Sequence, residues 1–274
     1  MVRILAALVG FGFSIALFIA AFSPRDAAPE SIIEKFHKEP KEVNFSSDGP
    51  FGKFDRAQLQ RGFQVYKEVC SSCHSIKHVA FGDLTALGYT TGQIKGIAAD
   101  WPIQVPSIDS ESGDPATRKA IAADKFPSPY PNEVAARNAN GGALPPDLSL
   151  MTKAREHGPA YVFSLLTGYV AVPADLPKDN QPGPGLHYNP YFPNLNLAMS
   201  QQISVDGQVT YAPGNPPATK DQMAKDVTAF LIWTAEPNLE ARHHMGLGVL
   251  GFLAIFALLC WLSYQSIWAD KKKR

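Results

Sequence analysis

The chain has little cysteine and no surplus of charge. Three cysteines in 274 residues leave no disulfide framework, and 25 basic residues balance 25 acidic ones. That balance gives no general affinity for nucleic acid, and 45% hydrophobic residues argue against disorder. Long alternating apolar–polar runs are missing, so no large sheet is expected. An Arg- and Ser-rich amphipathic leader, the usual mark of mitochondrial import, is missing too.

What is present is concentrated in Cys70-Ser71-Ser72-Cys73-His74. Cys-x-x-Cys-His is the attachment pattern for c-type haem. Two thiols at this spacing reach the two vinyl groups of one porphyrin, and the adjacent imidazole falls under the iron as its proximal ligand. A structural zinc site needs four ligands, and only His74 and His78 lie near the pair. A thioredoxin-like dithiol sits beside a βαβ pattern, whereas these flanks read as helix. The third cysteine, Cys260, lies inside an apolar run.

Two apolar runs frame the chain. Ile4–Phe22 is 19 residues without a charge, preceded by Arg3. Its length fits either a signal h-region or a spanning helix. The best cleavage site, Ala21-Phe22-Ser23, puts Pro24 directly after the cut, which tilts the reading towards an uncleaved anchor. Met245–Ile267 is 23 uncharged residues, with Trp261, Tyr264 and Trp268 towards one end and Lys271-Lys272-Lys273-Arg274 beyond. That is a transmembrane helix with interface aromatics and a cytoplasmic basic end. Gly246-x-Gly248-x-x-Gly251 within it follows no strand, and reads as a small-residue face for another membrane helix rather than a nucleotide loop.

The expected organisation is an N-terminal signal or anchor helix at 1–23, an exported haem domain at 24–244, a transmembrane anchor at 245–268 and a basic cytoplasmic tail at 269–274. Residues 24–243 hold 20 basic and 24 acidic residues, a net charge of −4.

Within the exported part the helical period is visible three times. Asp55 with Gln58 opens one helix as a weak capping box, and Leu59, Phe63, Tyr66 and Cys70 share its face. Pro159 at N1 starts a second, running to Leu166 and stopped by Gly168. Thr219 with Gln222 opens a third, which ends near Ala235 before Pro237. The fold class is all-α with long Pro/Gly loops. The longest loop, Val172–Asn196, is long enough to be functional.

Both axial positions of a c-type haem are usually filled by protein. Met199 ends the Pro-rich, aromatic loop, where a thioether can be presented opposite His74. His187 and Met151 compete for that role, and a core-filling methionine is the plain alternative.

Several segments then carry a resemblance. Arg137-Asn138-Ala139-Asn140-Gly141-Gly142-Ala143-Leu144-Pro145-Pro146-Asp147-Leu148-Ser149 resembles a defining stretch of the cytochrome c1 family, the haem subunits of quinol–cytochrome c reductase (bc1) complexes. So do Tyr161–Tyr169, Tyr188–Pro193, Ala224–Val227 and Ala235-Glu236-Pro237, with Gly62–Tyr66 ahead of the haem motif. The similarity runs in order through residues 50–270.

The resemblance implies a cytochrome c-like all-α domain with one haem c on Cys70 and Cys73. It implies His74 and Met199 as iron ligands, and Arg137 as the partner of a haem propionate. The family usually carries proline soon after the ligating methionine, whereas this chain reads Met199-Ser200-Gln201-Gln202. The implied role is electron transfer from a Rieske iron–sulfur protein to a soluble or membrane-tethered cytochrome c, beside cytochrome b in a dimeric, lipid-embedded complex. No site for substrate is expected on this chain, and no nucleic acid is expected as a partner. With both axial positions filled, a peroxidase or gas sensor is disfavoured. A free-standing, membrane-anchored cytochrome c shuttle is the alternative. The expected location is a bacterial inner membrane, with the haem domain periplasmic and the C-terminus cytoplasmic. Asp100, Asp109, Glu111 and Asp114 are the densest acidic stretch, and are expected to rim a surface for a basic cytochrome c.

Overall fold

A computed structural model describes residues 2–23, 31–269 and 271. Two compact units divide the chain between Lys35 and Phe36. The first holds helix α1 (Val2–Phe22), none of whose residues is buried. A short helix α2 (Ile32–Phe36) lies at the division. Pro24, on which the cleavage argument turned, lies outside the described residues, as does most of the basic tail.

The second unit is built on two crossing helices, α3 (Arg56–Val65) and, much later, the one spanning Lys220–Ala235. Both begin where the sequence predicts. The Asp55 carboxylate accepts from the Gln58 amide at 3.2 Å, and Thr219 Oγ1 accepts from the Gln222 amide at 3.1 Å. Neither capping box closes, however. The side-chain amides of Gln58 and Gln222 turn to the carboxylate of Asp226 instead, at 3.1 and 2.8 Å. Asp226 is completely buried, and a buried carboxylate draws every donor in reach. Arg61 adds Nε at 2.8 Å and Nη2 at 3.2 Å. The crossing is thus tied by a charge-assisted cluster on one side. Its other side is a run of rings, with Phe63 and Tyr66 both against Phe230, and Phe230 against Trp233.

Around this pair lie α4 (Thr91–Ala99), α5 (Glu133–Ala139) and α6 (Gly158–Thr167), the last matching the helix expected after Pro159. Complete capping boxes close on α4, where Thr90 and Gln93 exchange both bonds, and on the short α2, where Ser31 and Glu34 do the same. The mostly helical expectation holds, with two small antiparallel pairs added: β1 (Val105–Ile108) with β2 (Pro115–Arg118), and β3 (His187–Tyr188) with β4 (Asn196–Leu197). Each pair is too short to leave an alternating signal. The β3–β4 pair lies at the end of the long loop expected at 172–196 and orders it.

The Lys220–Ala235 helix, α7, is followed by α8 (Leu239–Trp268). The last helix starts ahead of the apolar run that opens at Met245. Thirty residues at 1.5 Å each make about 45 Å, longer than a bilayer core of about 30 Å. Part of the surplus is the stretch 239–244 ahead of the apolar run, and it is fastened to the domain. Leu239 is buried, and the Phe54 amide donates to Glu240 at 2.8 Å. Glu236 is held by Lys153 at 3.1 Å and by Arg242. Helices α1 and α8 are both long and apolar enough to cross a membrane.

Candidate functional site

Past Val65 the α3 helix widens into a π turn, Tyr66–Cys70, closed by the Ser71 amide on the Tyr66 carbonyl at 2.8 Å. Such widenings mark functional positions in helices. A tighter turn follows, in which the Cys73 and His74 amides both donate to the Cys70 carbonyl, at 3.1 and 2.9 Å. The Tyr66 hydroxyl then holds the His74 carbonyl at 2.9 Å. Cys70, Cys73 and His74 are therefore brought onto one short, bent stretch, held at its back by Tyr66, whose ring packs on Phe230.

The two thiols are free. Burial, followed by the neighbouring Cys73, pushes the Cys70 thiol up to about 12. A nucleophilic dithiol needs the opposite shift, so the thiol–disulfide reading finds no support. Cys73 has a phenol beside it, with Tyr130 Oη 3.8 Å from its sulfur and held in turn by Asn140 Nδ2 at 3.0 Å. Among the described residues no group of three or more His, Cys, Asp or Glu converges on one point. The four-ligand zinc alternative therefore has no donor set.

His74 is the most tightly defined of the three. Its Nδ1 stands 2.8 Å from the Pro146 carbonyl oxygen. Burial holds the imidazole below its ordinary range, with the Pro146 bond and Asp147 acting the other way. A neutral ring whose Nδ1–H is committed to a carbonyl leaves the Nε2 lone pair for a metal. Pro146 is itself placed by its neighbour. Asp147 accepts from Ser75 Oγ at 2.7 Å, the Lys77 amide at 2.9 Å and the Ser149 amide at 2.9 Å, and Leu148 N donates to the Ser75 carbonyl at 2.8 Å. These bonds stitch the 146–149 stretch alongside the residues after His74.

Met199 follows β4 by two residues and is half-buried. The Tyr169 hydroxyl, just past α6, donates to the Met199 carbonyl at 2.8 Å. Of the competitors, Met151 packs against the hydrophobic core. His187 is exposed on β3, where it lines a broad surface cavity with Tyr169, Val172 and Leu186. Arg137 is exposed near the end of α5 and donates to the Gly142 carbonyl at 3.1 Å. Asp109, Glu111 and Asp114 form the turn between β1 and β2, and Asp100 caps the end of α4. Sequence reasoning missed Tyr66, Tyr130, Asp147 and Tyr169 as supports. Each acts across a long sequence gap or through main chain, which leaves no local pattern.

A mostly helical domain that offers paired free thiols and a carbonyl-oriented, neutral histidine in Cys-x-x-Cys-His has the features of the c-type cytochromes. The chain matches the model of the Cytochrome C1 family over residues 45–271. It is 44% identical over 241 residues to the cytochrome c1 of Rhodospirillum rubrum, covering 84% of this chain and 87% of that one. It is 43% identical over 269 residues to an Arabidopsis thaliana protein named cytochrome c1 1, heme protein, mitochondrial, covering 98% and 83%. A Bradyrhizobium diazoefficiens protein named cytochrome b/c1 is 45% identical over 250 residues, covering 85% of this chain and 36% of that longer protein. The chain belongs to the cytochrome c1 family.

Proposed function

We propose that this chain is the haem-bearing electron-transfer subunit of a quinol–cytochrome c reductase (bc1) complex. The observation that carries the reading is the His74 ring, turned by Pro146 within a Cys-x-x-Cys-His of a cytochrome c1 family member. The donor set fits a c-type haem. Cys70 and Cys73 would attach it through thioether bonds, His74 and Met199 would ligate its iron, and Arg137 would pair with a propionate. Bound haem supplies a one-electron Fe(III)/Fe(II) couple, and thioether ligation raises its potential.

The protein's own contribution is positional. Pro146 and Tyr66 hold His74 in one orientation, the aromatic cluster around Tyr66 backs the π turn that presents Cys70, and the tight turn closed on the Cys70 carbonyl fixes the spacing of the thiols. In this reading the chain is a carrier within a proton-translocating oxidoreductase rather than the place where the quinol is oxidised. The electron comes from the Rieske iron–sulfur protein and leaves to a soluble or tethered cytochrome c. A relative whose name joins b with c1 supports cytochrome b as the membrane partner, and two apolar helices support life in lipid. The complex is a dimer in a bacterial inner membrane. Arg3 and the terminal Lys/Arg run support a cytoplasmic position for both ends, with the haem domain on the periplasmic side.

The test is a redox-difference spectrum with potentiometric titration on membranes solubilised in mild detergent. A c-type band that titrates as a one-electron, high-potential centre, co-purifies with b-type haem and changes in Met199→Leu is the expected result. A c-type band without b haem would instead identify a free-standing anchored shuttle, and no haem would overturn the reading.

A further inference from the structure

Between strand β4 and the buried Ile203, the main chain around Met199 has few hydrogen bonds. Strand β4 ends at Leu197, and residues 199–202 contain no proline to stiffen them. Among the described residues, no main-chain to main-chain hydrogen bond outside the β3–β4 pair involves 198–203. The side-chain bonds of this stretch are mostly local. Gln202 Nε2 reaches the Ser200 carbonyl and hydroxyl, Gln201 Nε2 reaches the Ile203 carbonyl, and Gln208 Nε2 donates to the Gln202 carbonyl at 2.7 Å. Ala198 and Ser200, on either side of Met199, are exposed. The bond that fixes the Met199 peptide from outside this stretch is the Tyr169 hydroxyl, at 2.8 Å.

Tyr169 is itself well anchored. It follows Gly168, the cap residue of α6, where a Cβ would collide with the Tyr191 ring at 2.4 Å. The β3–β4 loop is clamped to that same helix end. The fully buried Asn189 donates from Nδ2 to the Leu165 carbonyl at 2.8 Å, and its amide donates to the Leu195 carbonyl at 2.8 Å. Leu195 takes φ of 67° with no exposure, a strained conformation that persists only because its surroundings over-determine it. Lys41 closes the assembly, with Nζ on Thr167 Oγ1 at 2.7 Å and over the Tyr191 ring. The helix end is therefore rigid, and so is the hairpin up to Leu197. Beyond the two-residue run of chain from Leu197, the Met199 peptide is hydrogen-bonded to that rigid frame through one hydroxyl.

We propose that Tyr169 is a positioning residue that sets the redox poise of the iron by fixing the Met199 main chain. The proposal rests on Met199 as the axial ligand. Iron(III) binds thioether sulfur more weakly than iron(II), so a loosened Met199 is lost first from the oxidised state. Water or another ligand then stabilises iron(III) and the potential falls. Each tenfold gain in relative stability of the oxidised state reads as a drop of about 59 mV for one electron.

The experiment uses the full chain in its membrane complex, comparing wild type with Tyr169→Phe, which removes only the hydroxyl. Tyr89→Phe, at the edge of the Phe63 ring, is the control. In Tyr169→Phe the covalent haem content stays at the wild-type level. The weak sulfur-to-iron(III) charge-transfer band diminishes, the potential falls by the equivalent of tenfold or more, and carbon monoxide binds the reduced protein. Tyr89→Phe changes none of these. A wild-type protein that carries c-type haem without the sulfur band overturns Met199 as ligand. A wild-type band that Tyr169→Phe leaves intact at unchanged potential overturns the positioning role, even where the variant melts at a lower temperature. If Tyr169→Phe accumulates poorly, carbon monoxide binding in whole membranes, normalised to haem, gives the same decision.

Discussion

Gly62 lies so close to α7 that a Cβ there would stand 2.0 Å from the Asp226 carbonyl oxygen and 2.7 Å from the Phe230 Cβ. The main chains of α3 and α7 meet at this point with nothing between them. Gly62→Ala must therefore part the two helices, and Tyr66 and Phe230, which back the haem motif, part with them. Overpacking of this kind costs about 3 kcal/mol. Denaturant melts of the haem-loaded protein check it, and a variant as stable as wild type would show that the crossing yields without loss.

Attachment through both thiols makes a graded prediction. Cys70→Ala and Cys73→Ala each leave one thioether bond, so haem stays with the chain through denaturing electrophoresis. The double variant releases it. The split α-band and the protein mass read the three states directly, and haem retained by the double variant would mean that the thiols are not the points of attachment.

Asp147 predicts a pH dependence. Burial alone pushes its carboxyl up, but the hydrogen bonds from Ser149, Lys77 and Ser75 outweigh burial and hold it below the ordinary value. A depressed carboxylate stabilises the fold above the unfolded value near 3.9, and that contribution disappears as pH falls through the folded one. Asp147→Asn is therefore less stable than wild type at neutral pH, and the gap closes on acidification. Melts at pH 7 and at progressively lower pH test this; a gap of constant size would show that the charge is not what matters.

The acidic turn between β1 and β2 predicts a kinetic effect. Asp109, Glu111 and Asp114 stand together on an exposed hairpin, so their reversal to lysine slows reduction of a basic cytochrome c at low salt. At high salt, where screening already removes long-range attraction, the rates converge. Stopped-flow rates across ionic strength decide it. An unchanged salt dependence would remove this hairpin from the encounter surface.

The sequence is a good guide where a signal is local. The starts of α3 and α7 at Asp55 and Thr219, the stop of α6 at Gly168 and the motif at Cys70–His74 are all readable from neighbouring residues. What those residues do next is not. Gln58 and Gln222 look like capping partners, yet both serve Asp226, because a buried charge outbids an exposed amide. Local signals alone leave Met199 in competition with His187 and Met151, since the features that hold its main chain (Tyr169, Asn189, Leu195) act through carbonyl groups, which every residue type carries. The β1–β2 pair escapes notice because its strands are short and Pro106 sits inside β1, where proline is unusual.

The fastening of α8 has a mechanical consequence. Only Glu236, Pro237 and Asn238 separate α7 from α8. Glu236 is gripped from two sides, and Phe54 pins Glu240. There is no slack in such a joint for the head to swing on its stalk. If α8 is the membrane stalk, the redox centre stands at a fixed height above the lipid, like a lamp on a post. The travelling must then be done by whatever delivers its electron and whatever carries it away.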